Sequence, residues 1–376
     1  MTGMLTESSS APASRIRLLA VAVVGSVLSG CTIGYLTQAA HGQWQLMRAR
    51  RPITGVIADP ASPPVLVERL RVVQDARDFA VSDLALPDNR SYRSYSDLKR
   101  PYVVWNVVAT PEFSVEPRRW CFPFTGCLSY RGYFHQQAAD RMAARLAADG
   151  DDVMVGGVTA YSTLGHFADP VLNTMLRYGD LGLVSTMFHE LAHQLIYVRG
   201  DTEFNESFAV TVEQEGLRRW LAARGRSQEL ADYLERHHAD VLMLQAFADG
   251  RRRLAAFYRQ SATLPLEQRR SRKREILTAT GAQVQALEQQ FHVQTVYDRW
   301  IDGGLNNAHL ASLGTYFDCV PAFQGLLAAN DGNLPAFYAA VRKMRTDPGA
   351  RRAFCQAAAA TTPATATWAP ARSSAS

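Results

Sequence analysis

The sequence predicts a mostly helical α+β fold: a small sheet, a buried helix at mid-chain, and a long helical hairpin inserted after it. Three observations carry this expectation. Apolar residues recur every three or four positions in windows such as "LVERLRVVQDARDFA", the period of one helix face. "PYVVWNVVATPEFSV" and "DDVMVGGVTAYSTLG" are rich in β-branched, aromatic and glycine residues, which favours extended chain. From 227 to 300 a charged helical pattern runs on with a break near Pro265, as two antiparallel helices require.

Size and charge bound the function. With 376 residues, 47% of them hydrophobic, the chain can bury a substantial core. Forty Lys and Arg against 35 Asp and Glu give a net charge of +5, and no basic run is interleaved with aromatic residues. That argues against a nucleic-acid partner and fits an envelope protein beside anionic lipid.

The N-terminus carries an address. Arg15 and Arg17 precede the apolar run "LLAVAVVGSVLSGC", which is too short for a stable membrane span and reads as an export signal over residues 1–30. Its end, Leu28-Ser29-Gly30-Cys31, resembles the bacterial lipobox. The resemblance implies cleavage before Cys31 and acylation of that cysteine, giving a lipid-anchored, periplasm-facing envelope protein. Thr32 follows instead of Asp, so the expected destination is the outer membrane.

The elements follow in order. Residues 31–64 form the lead from the anchor: helical to about 55 with a basic step at Arg48, Arg50 and Arg51, then broken by "DPASPP". An amphipathic helix is expected over 65–98 and extended chain over 101–115. The second half of "RGYFHQQAADRMAARLAADG" is helical, and "DDVMVGGVTAYSTLG" is a strand. "GDLGLVSTMFHELAHQLIYVRG" is a buried helix with Asp180 as N-cap and Gly200 as its stop. "FNESFAVTVEQEGLRRWLAARG" begins another with Asn205 at its head. The hairpin occupies 227–300, its "RRSRKRE" segment reading as a solvated face, and a last helical block covers 304–355. The main domain is thus 65–356, and the low-complexity tail 357–376 is expected to be disordered. With Cys31 committed to lipid, four cysteines remain, and an exported chain favours two bridges. Of three pairings, proximity in sequence favours Cys121–Cys127 with Cys319–Cys355.

The chemistry centres on "FHELAHQ", 188–194. His189 and His193 are four apart, so on a helix both imidazoles project from one side and can converge on an ion. Zinc takes imidazole nitrogen and, in a catalytic site, needs a third protein ligand plus water. Glu190 lies about 100° around the helix, placed to accept a proton from that water. Phe188, Leu191, Leu195 and Ile196 make the surroundings apolar, so the three polar side chains need a satisfier. Candidates for the third ligand follow in Glu203, Glu206 and Glu213.

"NESFA", 205–209, resembles the segment that carries the glutamate ligand of gluzincins, the HExxH zinc peptidases that include thermolysin and the aminopeptidases. The stretch from "GGVTAYSTLG" through "HELAHQ" to "FNESFA", with "FPFTGCLSYRGYF" and "NNAHLASLGTYFDCVPAF", is similar to a bacterial family of predicted aminopeptidase lipoproteins. The resemblance implies a gluzincin-like core holding one zinc ion by His189, His193 and Glu206, with peptides as substrates. Glu203 and Glu213 remain rivals as ligand. Glu213, seven residues past Glu206 on nearly the same face, suits an acceptor for a histidine N–H. Twelve residues separate His193 from Glu206, fewer than in the larger gluzincin families, which requires a short loop between the helices. The resemblance also implies that Gly156, Gly157, Val158 and Thr159 lie on an edge strand pairing with substrate backbone. It further implies that Tyr316, or more weakly His309, donates to the oxyanion. "GGVTAYSTLG" contains no glutamate for a substrate's free amine, so endopeptidase action stands as the alternative. A non-catalytic envelope lipoprotein using zinc as a staple is the reading from another class.

Overall fold

A computed structural model describes residues 35–361 apart from 36, 39, 123–125, 161–162 and 314–318. Cys31, the export segment and Tyr316 lie outside the described residues. The chain divides into two compact units, Met1–Arg48 and Ala49–Ser376. In the first, residues 40–48 are helical.

The second unit opens with β1 (Arg51–Pro52) and α1 (Ile53–Ala58), and Asp59–Pro63 breaks the helix as the prolines require. α2 (Pro64–Ser82) buries Leu70, Val73, Ala76, Phe79 and Ala80 at helical spacing. It stops at Ser82, not near 98. Pro87 cannot continue it, and Arg77, 1% exposed, turns the following segment back by donating to the carbonyls of Ser91, Pro87 and Asn89 at 3.1, 2.7 and 3.1 Å. β2 (Ser94–Ser96) then pairs with β1.

The main sheet has β3 (Val104–Pro111) at its centre. A side hairpin of β4 (Trp120–Phe122) and β5 (Gly126–Leu128) sets Cys121 opposite Cys127, and the two are bridged. β6 (Arg131–Tyr133) pairs with β3 on one side. α3 (Gln136–Ala148) leads to β7 (Asp151–Val158), which pairs antiparallel with β3 on the other, from Val104 opposite Val158 to Pro111 opposite Asp151. β7 is therefore an edge strand. β8 (Val171–Leu172) joins β2 in the smaller sheet.

α4 (Gly179–Leu195) buries Leu183, Val184, Met187, Phe188, Leu191 and Ala192. Asp180 falls inside its first turn instead of capping it, and the helix ends before Gly200 is reached. α5 (Thr202–Ala223) is capped by Asp201, whose side chain accepts from Phe204 N, so Asn205 is not its head. The two helices pack closely at Gly216, where a β-carbon would come within 2.8 Å of Leu84 and 2.9 Å of Phe188.

α6 (Ser227–Gln260) and α7 (Leu266–Phe291) form the expected hairpin, with Pro265 just before α7. Gly250 lets them close, since a β-carbon there would meet Thr280 Oγ1 at 2.3 Å. Met243, Phe247, Leu254, Ile276, Leu277 and Val284 fill a core shared with Val115 and Leu310. "RRSRKRE" is only partly a solvated face. Arg270 pairs with Glu112 at 2.6 Å, and Lys273, 8% exposed, donates to Glu112 O and to Asp152, docking α7 on the end of the sheet. After it come α8 (Tyr297–Asp302), α9 (Asn307–Leu313), α10 (Val320–Ala329), α11 (Leu334–Lys343) and α12 (Pro348–Thr361). A Cys319–Cys355 bridge ties the start of α10 to α12. Phe204 and Phe208 of α5 pack against Phe323 and Phe337 of this last block.

Candidate metal centre

The connection between α4 and α5 is short, and one side chain shapes it. Asn205, 2% exposed, accepts from Val198 N at 2.7 Å and donates to Val198 O at 2.8 Å. Both polar groups of a turn residue are thereby satisfied by the helix that follows, and the first turn of α5 is held against the short connection from α4.

That contact brings three ligand atoms together. His193 Nε2 lies 3.1 Å from His189 Nε2, while Glu206 Oε2 lies 3.3 Å from His189 Nε2 and 3.6 Å from His193 Nε2. Among the described residues these three form the group able to hold a metal ion, with their ligand atoms within 4.8 Å of one another. Glu203, in the first turn of α5, is not part of it.

Glu213 sits one layer behind. Its Oε2 lies 2.9 Å from His189 Nδ1, and Ser185 Oγ donates to its Oε1. A carboxylate only accepts, so Nδ1 must carry the hydrogen. In the neutral ring that leaves the lone pair on Nε2, facing the Glu206 carboxylate and the His193 ring. His193 Nδ1 is buried with no partner. No partner therefore fixes its tautomer: with Nε2 protonated it donates to His189, and with Nε2 bare the facing lone pairs, a little over 3 Å apart, repel unless a cation lies among them. The separations suit zinc, since ligands about 2.0–2.1 Å from a tetrahedral ion stand about 3.3 Å apart.

Without a metal, protonation takes that place. Burial pushes the His189 imidazolium toward losing its proton, but the hydrogen bonds it donates to Glu206 and Glu213 outweigh that and hold the ring well above its usual value. Burial likewise raises Glu206, and its bonds to His189 and His193 outweigh that and hold it far below the carboxylate range. Glu213 is lowered too, burial being outweighed by His189 and Ser185.

Glu190 differs from both. Half-buried, its carboxylate accepts no hydrogen bond from the described residues, and burial raises it while the two histidines pull it down. Next to the group, Gln194 is fixed by Asn89, whose amide donates to it at 2.8 Å. Thr163 donates through N and Oγ1 to buried Asp169 at 3.0 and 2.7 Å.

The other predicted residues divide. Gly156, Gly157 and Val158 lie on β7, and Thr159 lies just past it, its carbonyl accepting from Thr174 Oγ1 at 2.6 Å. Gly157 has a structural cause: a β-carbon there would stand 2.4 Å from the Tyr102 ring. His309 is engaged with Asn306 at 2.9 Å and packs on Trp300, and burial pushes it down to about 4. Tyr197 was not singled out from the sequence. Its ring meets His193 edge-on with centroids 6.4 Å apart, and burial and Glu206 raise its hydroxyl. Its signal was available: it extends the 189, 193 spacing by one more step of four.

A family model described as "Putative aminopeptidase" matches residues 34–355. No curated protein matches the chain. No solved structure matches it either.

Proposed function

The chain belongs to the putative aminopeptidase family, and from that premise we propose that it is a zinc-dependent peptidase of gluzincin type. The observation that carries the reading is the triangle of His189, His193 and Glu206 with Glu190 beside it and unengaged. His189, His193 and Glu206 would hold one zinc ion, which when bound supplies Lewis acidity and a water of lowered pKa. Three protein ligands with a spare base suit a catalytic site, whereas a structural site closes with four.

The chain's own residues have defined tasks. Glu213 fixes the tautomer and orientation of His189. Glu190 takes a proton from the attacking water as the water oxygen bonds to the peptide carbon. It returns that proton to the amine nitrogen as the C–N bond breaks. β7 is an edge strand, and past Val153, whose carbonyl accepts from Asn306 Nδ2 at 3.0 Å, a peptide can pair along it. The exported, lipid-anchored state inferred from residues 1–31 places this activity at the cell envelope, facing the periplasm. Among the described residues no helix is long and apolar enough to cross a membrane.

An aminopeptidase is the reading that the family favours. One observation favours an endopeptidase: Glu206 and Glu213 are engaged with histidine, and Asp169 is 1% exposed beneath Thr163, so these acids are not open to a substrate ammonium. Matched peptides with free and acetylated amino termini separate the two. Release of single N-terminal residues from free peptides alone supports the aminopeptidase, and equal internal cleavage of both supports the endopeptidase. Metal analysis beside Glu190→Gln tests the common reading. A metal-free wild type, or equal hydrolysis in both proteins, would overturn it.

A further inference from the structure

His189 and His193 share one face of α4, and Tyr197 follows four residues on, just past the end of that helix. α4 ends at Leu195; one further helical bond, from Ile196 N to Ala192 O at 3.0 Å, follows it, and Tyr197 opens the turn to α5. Its ring lies against that of His193, edge-on with centroids 6.4 Å apart. The next residue, Val198, is clamped through both N and O by Asn205, which leaves Tyr197 little freedom to drift.

Around the metal group most polar side chains are committed. His189 binds Glu213 and Glu206, Glu213 also takes Ser185, and Gln194 binds Asn89. Glu190 and Tyr197 differ from these, since neither hydrogen-bonds to any described residue and both are half-buried. One can only accept when ionised, and the other is a donor. Hydrolysis of a peptide bond needs both: an acceptor for the proton of water, and a donor for the carbonyl oxygen as it gains charge.

We propose that Tyr197 donates a hydrogen bond to the carbonyl oxygen of the scissile peptide bond and stabilises the charge that develops there. The inference rests on the peptidase reading above. It gives the oxyanion role to a residue on the turn that joins the two ligand helices, in place of Tyr316. Tyr197→Phe keeps the ring against His193 and removes only the hydroxyl.

The experiment compares wild type, Tyr197→Phe, Tyr316→Phe and Glu190→Gln, all zinc-loaded. The measurements are zinc per chain, kcat and KM on a quenched-fluorescence peptide library, and calorimetric affinity for a phosphinic dipeptide that mimics the tetrahedral state. Tyr197→Phe should keep its zinc, lose about 10²–10³ in kcat with KM little changed, and bind the phosphinic dipeptide weaker by a similar factor. Three results would overturn the proposal: wild-type kcat and phosphinate affinity in Tyr197→Phe, the same losses in Tyr316→Phe alone, or zinc loss in Tyr197→Phe, which would make the phenol a ligand. Hydrolysis that fails in Glu190→Gln but survives in Tyr197→Phe removes this inference and leaves the peptidase reading standing. No hydrolysis by wild type removes both.

Discussion

His189 Nδ1 lies 2.9 Å from Glu213 Oε2, and this contact decides which nitrogen of the ring faces the metal group. With Nδ1 donating, Nε2 is the only lone pair His189 has to offer. Glu213→Gln keeps the size but replaces a charged acceptor by an amide, so zinc affinity should fall about 10–100-fold. Competition with a chelator of known affinity measures it. An unchanged affinity would mean that the ring is oriented by packing alone.

Glu206→Ala removes a ligand atom 3.3 Å from His189 Nε2 and 3.6 Å from His193 Nε2. The variant should lose zinc on dialysis under conditions where wild type keeps about one ion per chain, and Glu203→Ala should keep it. The reverse result would transfer the third-ligand role to Glu203.

Glu190→Gln should retain zinc and fall by about 10²–10⁴ in kcat, the range for loss of a general base. Its carboxylate touches neither histidine at hydrogen-bond distance, so no hydrogen bond of the metal group is lost with it. Metal content and kcat measured on one preparation check both halves.

The centre was legible because its information is local. HExxH places two imidazoles on one helix face, and the resemblance of "NESFA" to the gluzincin segment implied Glu206 over Glu203 and Glu213; the structure puts the Glu206 carboxylate beside the two rings. The hairpin was legible too, since Pro265 interrupts a long helical pattern and the break occurs there. What the sequence hid is set by long-range contacts. The end of α2 depends on Arg77 gathering carbonyls from Pro87, Asn89 and Ser91, and helix propensity cannot register that. Asn205 looked like a cap because asparagine favours helix starts, but its side chain is taken by Val198 and Asp201 does the capping. "RRSRKRE" looked solvated because its acceptors, Glu112 and Asp152, lie more than a hundred residues away.

Asn205→Ala should destabilise the fold by about 1–3 kcal/mol, because Val198 N and O lose both partners at a buried site. Asn205→Asp can still accept from Val198 N but loses the donation to Val198 O, so it should recover part of the loss. Urea unfolding of the zinc-loaded proteins measures the difference. Equal stability of all three would show that the turn is held by its flanking helices alone.

The stability of the protein depends on pH through His189, Glu206 and Glu213. In the metal-free protein His189 is held well above its ordinary 6.5. Its contribution to stability is fully present below 6.5 and disappears as pH rises through the raised folded value. Glu206 and Glu213 are held below their ordinary 4.5, so theirs is present above 4.5 and disappears as pH falls through the lowered values. The stripped protein should therefore be most stable between those two ordinary values and weaken as the solution becomes alkaline. Zinc reverses the alkaline trend, because it needs the bare Nε2 and displaces the proton to get it. Apparent zinc affinity should rise about tenfold per pH unit for each proton displaced, up to the raised value of His189. The gap in Tm between loaded and chelated protein should accordingly widen from pH 6.5 upward. Thermal scans of both forms from pH 5 to 9, with calorimetry in two buffers of different ionisation enthalpy to count released protons, test this directly. A gap independent of pH, with no proton released, would mean that His189 is already neutral in the stripped protein and that Glu206 and Glu213 do not hold its proton.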